Sequence, residues 1–238
     1  MQRLILRGSA WLVLLALVLT FAGCSSKIAH TGTNPALAYG YDIFTPNYVN
    51  SLEAIYWWRA FPITLAYTND LTYGGESSRT HFKAAFEEWM TRTNNTINYT
   101  WVADPARANV QITFSHLPAE PTNGQELGDC VSQYYVNNLE MSSAVITIVL
   151  WDGMTSSEYA NVVATATHEM GHALGIHGHS PVQGDIMYPG YDPHFPLLMS
   201  SRDVNTIKSL YPQLFVRERK GMPPPPPPTG PLRTVVMH

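Results

Sequence analysis

The chain has 238 residues, of which 45% are hydrophobic and 13% charged, and its formal net charge is −4. Such a composition suits one globular domain with non-globular ends, long enough to bury a real core. It lacks the basic surface that nucleic acid requires, so nucleic-acid binding is set aside.

At the N-terminus, Arg3 and Arg7 precede an apolar run from Trp11 to Phe21 and small residues ending at Cys24. This is the layout of a secretory signal, and the run is shorter than the roughly 20 apolar residues of a comfortable membrane span. Phe21-Ala22-Gly23-Cys24 resembles the bacterial lipobox, with Phe21 where Leu is usual. The resemblance implies that residues 1–23 are removed and that Cys24 is lipidated, tying the protein to a membrane through its N-terminal lipid. Ser25 in place of Asp then implies the outer membrane of a Gram-negative envelope, while a Gram-positive cell surface stays equally open. Either site is lipid-anchored and faces away from the cytoplasm. An ordinary signal peptide cleaved nearby is the alternative. Loss of Arg3 and Arg7 leaves 12 basic against 18 acidic residues, a net charge of about −6. Cys130 is the only other cysteine, so no disulfide framework is available; it reads as a small buried apolar residue, with a thiolate reaching a metal as the alternative.

Residues 24–53, rich in Ser, Thr, Asn, Gly and Pro, read as a tether. A domain spanning 54–215 follows. Phe61 to Tyr67 alternates as a strand, and Ser77 or Ser78 opens a helix whose Phe82, Ala85, Phe86 and Trp89 share one face. Ile97 to Val102 and Val110 to Phe114 read as two more strands around an Asp104-Pro105 turn, and Ala144 to Leu150 as the most buried one. Leu117 to Asn138 has little periodicity and reads as a long irregular loop. Helical character returns from Ser157 to about Leu174, and a last helix starts near Ser200 or Ser201 with Asp203 in its first turn. Residues 216–238, with six consecutive prolines, read as a disordered Pro-rich tail, either solvated or a site for a proline-recognising partner. The alternation of helix and strand gives an α/β (α+β) fold class, a twisted mixed sheet with packed helices.

Four of the nine histidines fall between His168 and His179, in ATHEMGHALGIHGHSPVQGDIMYP. On a helix, residues four apart share a face, so His168 and His172 aim at one point, with Glu169 set beside the first. This is H-E-x-x-H, half of a zinc site with a general base. A catalytic zinc needs a third protein ligand, and Gly175 is placed to end the helix and turn the chain back toward the metal. His177 and His179 are the two candidates.

These residues, with Met187 in Asp185-Ile186-Met187-Tyr188-Pro189, resemble the metzincin zinc proteases, and HEMGHALG with DIMYP looks like their matrixin branch. The family's third histidine stands three residues after the glycine, where this chain has Gly178. Aligning His179-Ser180 with the family's His-Ser keeps Met187 in register, so the resemblance favours His179 after a one-residue insertion and leaves His177 as a loop residue. It extends over roughly residues 56–213. It implies one catalytic zinc on His168, His172 and His179, Glu169 as general base, and Met187 as an apolar floor under the metal. The implied reaction is hydrolysis of peptide bonds in protein or peptide substrates, by water that zinc activates. It also implies that the strand Ala144 to Leu150 borders the cleft and pairs with an extended substrate, and that residues near Pro189 to Pro196 shape a side-chain pocket.

The chain also departs from the family. No P-R-C-G-x-P-D prodomain sequence is present in it, and the histidine and aspartate run that supplies structural zinc and calcium in vertebrate members is not found, which leaves Ca2+ open. Two other classes compete with the endopeptidase reading: a non-catalytic metzincin-fold lipoprotein that binds peptides or proteins, and a lipoprotein whose zinc only stabilises the fold. The intact His168, Glu169 and His172 weigh against the first, and the second requires a closed fourth ligand such as His177 or Cys130.

Overall fold

A computed structural model of the protein describes residues 44–73, 75–121, 125–190, 198–216, 227–228 and 230–237. The signal segment, Cys24 and most of the expected tether lie outside these residues. In chain order the first elements are β1 (Ala54–Ile55), β2 (Ile63–Tyr67), β3 (Thr72–Tyr73), β4 (Glu76–Ser77), α1 (Ser78–Arg92), β5 (Tyr99–Trp101) and β6 (Val110–Leu117). They are followed by β7 (Gly128–Tyr135), β8 (Met141–Trp151), α2 (Ser156–Ala173), β9 (Ile176–His177), α3 (Ser201–Leu210), α4 (Pro212–Phe215) and β10 (Leu232–Met237).

Six strands form one mixed sheet in the order β10-β7-β8-β6-β2-β5. The pairings among β5, β2, β6 and β8 are parallel, whereas β7 runs antiparallel to β8 and β10 antiparallel to β7. The period of two decides which residues enter the core: Val110, Ile112 and Phe114 of β6 and Ala144, Ile146, Ile148 and Leu150 of β8 are buried, and the residues between them are half-buried. On the helices the 3.6 period does the same. Phe82, Ala85, Phe86 and Trp89 of α1 enter one core cluster with Val162, Ala166, Met170 and Ala173 of α2. Each fully buried large side chain here contributes about 1.5–3 kcal/mol from apolar burial. Polar contacts fix the seating of the two helices: the Trp89 indole donates to the Thr167 carbonyl at 2.8 Å, and the Thr167 hydroxyl donates to the Ala85 carbonyl at 3.2 Å.

Four expectations need correction. The stretch 117–138 holds β7, whose inward positions are Gly128, Cys130 and Ser132. Small and polar residues on a buried face carry no hydrophobic period, which is why the strand escapes a pattern reading. The end of the tether belongs to the domain: Tyr48 and Val49 are buried, and the Tyr48 hydroxyl donates to Asp203 at 2.8 Å. Within 216–238, Leu232–Met237 is not a disordered tail but an edge strand, since its alternating backbone donors and acceptors find the unpaired edge of β7. Finally, β8 lies between β6 and β7 with both edges paired, so Ala144 to Leu150 offers no backbone groups to a substrate strand.

Helix starts show what the chain uses to satisfy free amides. Thr155 and Glu158 form a capping box on α2, and Ser200 and Asp203 form one on α3. At α1 the expected serine is in place, but the Ser77 hydroxyl donates to Asp70, which also accepts from the Ser78 hydroxyl at 2.9 Å.

Candidate metal centre and active site

Two of the candidate ligands, His168 and His172, stand on the last turns of α2, and the helix end is anchored from outside. The Trp58 indole donates to the Ala173 carbonyl at 2.8 Å, and the Tyr211 hydroxyl to the Leu174 carbonyl at 2.6 Å. Carbonyls at a helix C-terminus otherwise lack partners, so these two bonds hold the turn that carries His172. Gly175 then turns the chain at φ +108, and a Cβ there would overlap the Tyr56 carbonyl. Only glycine allows that approach. The Tyr56 amide donates to the Gly175 carbonyl at 3.1 Å, and β9 pairs with β1, Ala54 opposite His177.

His168, His172 and His179 offer ligand atoms that all lie within 4.8 Å of one another. Their ring centroids are 4.8 to 5.2 Å apart. His177 is not in the group; its Nε2 lies 3.3 Å from the Glu53 carboxylate and its ring meets Tyr56 edge-on. The insertion before His179 is taken up by this short β1–β9 pairing and by Gly178, which turns at φ +105.

Backbone acceptors set the tautomers. His168 Nδ1 is 2.7 Å from the Ile186 carbonyl and His172 Nδ1 is 2.6 Å from the Ile176 carbonyl. A carbonyl only accepts, so both Nδ1 atoms carry the proton and both Nε2 atoms present a lone pair. Those two Nε2 atoms face each other at 3.1 Å. Burial pushes the His168 pKa down to about 4 and that of His172 well below its usual value, so both are neutral at pH 7. Three imidazoles with convergent nitrogens, two of them held neutral and oriented through Nδ1, fit a zinc ion, which takes nitrogen ligands in this way.

Glu169 is buried, and its Oε2 has no hydrogen-bond partner among the described residues. Burial raises its pKa well above the carboxylate range, and the charges of Asp129 and Glu126 add to the rise. A buried carboxyl in that state is suited to proton transfer near neutral pH, and a cation held on the histidines would compensate its charge. Met187 lies beneath the helix: a Cβ on Gly171 would meet its Sδ at 2.5 Å. Cys130 is a buried free thiol outside the histidine group, and burial pushes its pKa up, so it stays protonated. Of the expected pocket, Pro189 and Gly190 are described, and residues 191–197 lie outside the described residues.

Two carboxylates that pattern reading does not single out as part of the site organise it. Asp203 accepts from the Ile186 and Met187 amides at 3.1 and 3.4 Å. Asp185 is buried, accepts from the Ser180 hydroxyl at 2.5 Å, and pairs with the Arg202 guanidinium at 2.9 and 2.5 Å. The sequence signal was available in part, since Asp203 stands in the first turn of a helix; its reach to the methionine turn depends on tertiary placement.

The profile of the Matrixin family, Peptidase_M10, matches residues 57–212. Metalloendoproteinase 4-MMP of Arabidopsis thaliana is 30% identical over 166 residues, covering 65% of this chain and 47% of that protein. Metalloendoproteinase 1-MMP of the same plant is 32% identical over 152 residues, covering 60% of this chain and 41% of that protein. The chain thus spans less than half the length of the curated relatives it matches. With the mixed sheet, the packed helices and the histidine cluster at the end of α2 in view, this match establishes that the chain belongs to the matrixin family.

Proposed function

We propose that the protein is a zinc-dependent endopeptidase that hydrolyses peptide bonds of extracytoplasmic proteins or peptides. His168, His172 and His179 would hold the ion, Glu169 would be the general base, and Cys24 would carry a lipid that anchors the protein to the cell envelope. The observation that carries the reading is the convergence of three imidazoles beside a buried carboxyl with an unpaired oxygen. The names of the two plant relatives agree with it.

When bound, zinc lowers the pKa of water to about 7 and polarises a carbonyl. The chain's own residues do the rest. The Ile186 and Ile176 carbonyls keep the Nδ1 protons in place, so the two Nε2 lone pairs stay directed at one point. Glu169, raised in pKa by burial, accepts a proton from the attacking water and returns it to the leaving amine. No covalent enzyme intermediate is needed.

The test is cleavage of a broad peptide library, with zinc content measured on the same samples, for the wild type and Glu169→Ala. The expected result is about one zinc per chain in both and a loss of about 10²-fold or more in turnover for the variant. A wild type that holds zinc and cuts nothing, even with residues 232–237 released as described below, would overturn the endopeptidase reading. For the anchor, Cys24→Ala should move the protein from the membrane fraction to the soluble one.

A further inference from the structure

β7 is the strand that lies against the helix of the candidate active site. A Cβ at Gly128 would meet Thr165 Cγ2 at 2.8 Å and Glu169 Cγ at 3.0 Å. One edge of β7 pairs with β8. The other would present a row of free N–H and C=O groups, the surface to which an extended peptide adds as a further strand.

This edge is filled by β10, in six antiparallel pairs from Leu232 opposite Tyr135 to Met237 opposite Cys130. The direction is informative. β10 enters at the far end of β7 and runs toward Gly128, so Met237 stands opposite a residue only two positions from the one that touches Glu169. Its side chains are held unlike those of β6 or β8. Leu232 is 45% and Val236 47% exposed, Val235 is half-buried against the core, and Met237, at 3%, is the one fully buried anchor. Backbone hydrogen bonds, each worth about 1 kcal/mol net, therefore supply most of its attachment. A six-residue edge strand that commits only Met237 and part of Val235 to the core can leave while the sheet and helices stay packed.

We propose that Leu232–Met237 of the same chain is a resident, displaceable occupant of the outer edge of β7, the edge that an extended peptide needs in order to lie beside Glu169. An incoming peptide that pairs with β7 must first displace this strand, so the strand sets access to the site. The proposal rests on the endopeptidase reading only where it treats the incoming peptide as substrate.

Three forms of the full chain test it. In the released form, Thr234→Pro with Val235→Pro removes a ladder bond, because one of two successive amides in an antiparallel strand points at its partner. In the locked form, Thr234→Cys with Gln133→Cys places a disulfide between directly opposed residues. The wild type is the third. A fluorescent peptide of sequence Leu-Arg-Thr-Val-Val-Met, read by polarisation without any need for turnover, should bind the released form and not the oxidised locked form. Cleavage of a quenched peptide should rise about tenfold or more in kcat/KM on release, as for a site open in a tenth of molecules or fewer. It should disappear in the locked form and return on reduction.

A released form that folds by circular dichroism yet binds no labelled peptide would overturn the proposal. So would equal cleavage by all three forms. If the released form fails to fold, the oxidised and reduced states of the locked form still decide, since no difference in cleavage or peptide binding between them would overturn it. If no form cleaves any peptide while the labelled peptide binds only the released one, the displaceable strand is supported and the endopeptidase reading falls.

Discussion

The Ile186 carbonyl accepts from His168 Nδ1 at 2.7 Å while the Ile186 amide donates to Asp203 at 3.1 Å. One peptide segment thus links a candidate ligand on α2 to a buried carboxylate on α3. Asp203 also accepts from the Ser200 amide at 2.8 Å and from the Tyr48 hydroxyl at 2.8 Å. The carboxylate is therefore the hub that fixes the methionine turn, the start of α3 and the N-terminal segment together.

Asp203→Ala leaves several buried donors unpaired, each costing about 1–3 kcal/mol. The expected loss is about 3 kcal/mol or more in urea unfolding, together with weaker zinc binding as the acceptor of His168 shifts. Asp203→Asn keeps one oxygen acceptor and should fall between the two. Unchanged zinc affinity in Asp203→Ala would separate the turn from the metal site.

A pH dependence follows from His168. In the unfolded chain a histidine takes up its proton near pH 6.5, whereas burial holds His168 unprotonated down to about 4. Between these values the unfolded state binds more protons, so the stability of the metal-free protein should fall as pH drops from 6.5 toward 4 and be insensitive to this group above 6.5. His172, displaced in the same direction, should deepen the fall. Chemical denaturation of the metal-free protein across this range is the measurement. Glu169, shifted upward by burial, pulls stability the other way, so the comparison is made in Glu169→Gln, where a flat profile would mean that the rings are not shielded from water as the structure has them.

The parts of this architecture that are legible in the sequence are those with a large-residue period. Phe82, Ala85, Phe86 and Trp89 announce α1, and the β-branched run of β8 announces a core strand. The H-E-x-x-H spacing and Gly175 announce the geometry of the site, because both follow from local helix and turn rules. β7 and β10 are not legible. β7 buries Gly128, Cys130 and Ser132, which no hydrophobicity count would favour, and β10 exposes most of its side chains, so its place depends on backbone pairing with a strand a hundred residues earlier in the chain. Asp185 and Asp203 belong to the same class, since a carboxylate's role depends on which distant amides and guanidinium it meets.

Gly171 offers a packing test. A Cβ there would lie 2.5 Å from Met187 Sδ and 2.7 Å from Trp89 Cζ2. Alanine gains about 1 kcal/mol of helix propensity, but overpacking against the fully buried Trp89 costs about 1–3 kcal/mol. Gly171→Ala should therefore be neutral to destabilising by about 2 kcal/mol and should weaken zinc binding, because the shift is adjacent to His172. Pairing it with Met187→Ala removes one of the two clashes and should recover part of the binding. Stability by thermal unfolding and zinc affinity by competition titration would show whether the two substitutions couple; strict additivity would argue against contact between these residues.

The choice between His177 and His179 has the clearest readout. His177 is held in β9 opposite Ala54, and its ring meets Tyr56 and the largely exposed Glu53. An ion pair with so exposed a partner is worth about 0–1 kcal/mol. His177→Ala should thus keep zinc, unfold within about 1 kcal/mol of the wild type, and retain peptide cleavage within about threefold. His179→Ala removes one of three converging nitrogens and should lose both zinc and cleavage while the fold survives, because that ring is not part of the core cluster. Zinc content and circular dichroism on the two variants are sufficient. If His177→Ala were the one to lose the metal, the third ligand would be reached by a rearrangement of β9, with one residue fewer than the family spacing between Gly175 and the ligand and two more between the ligand and Met187.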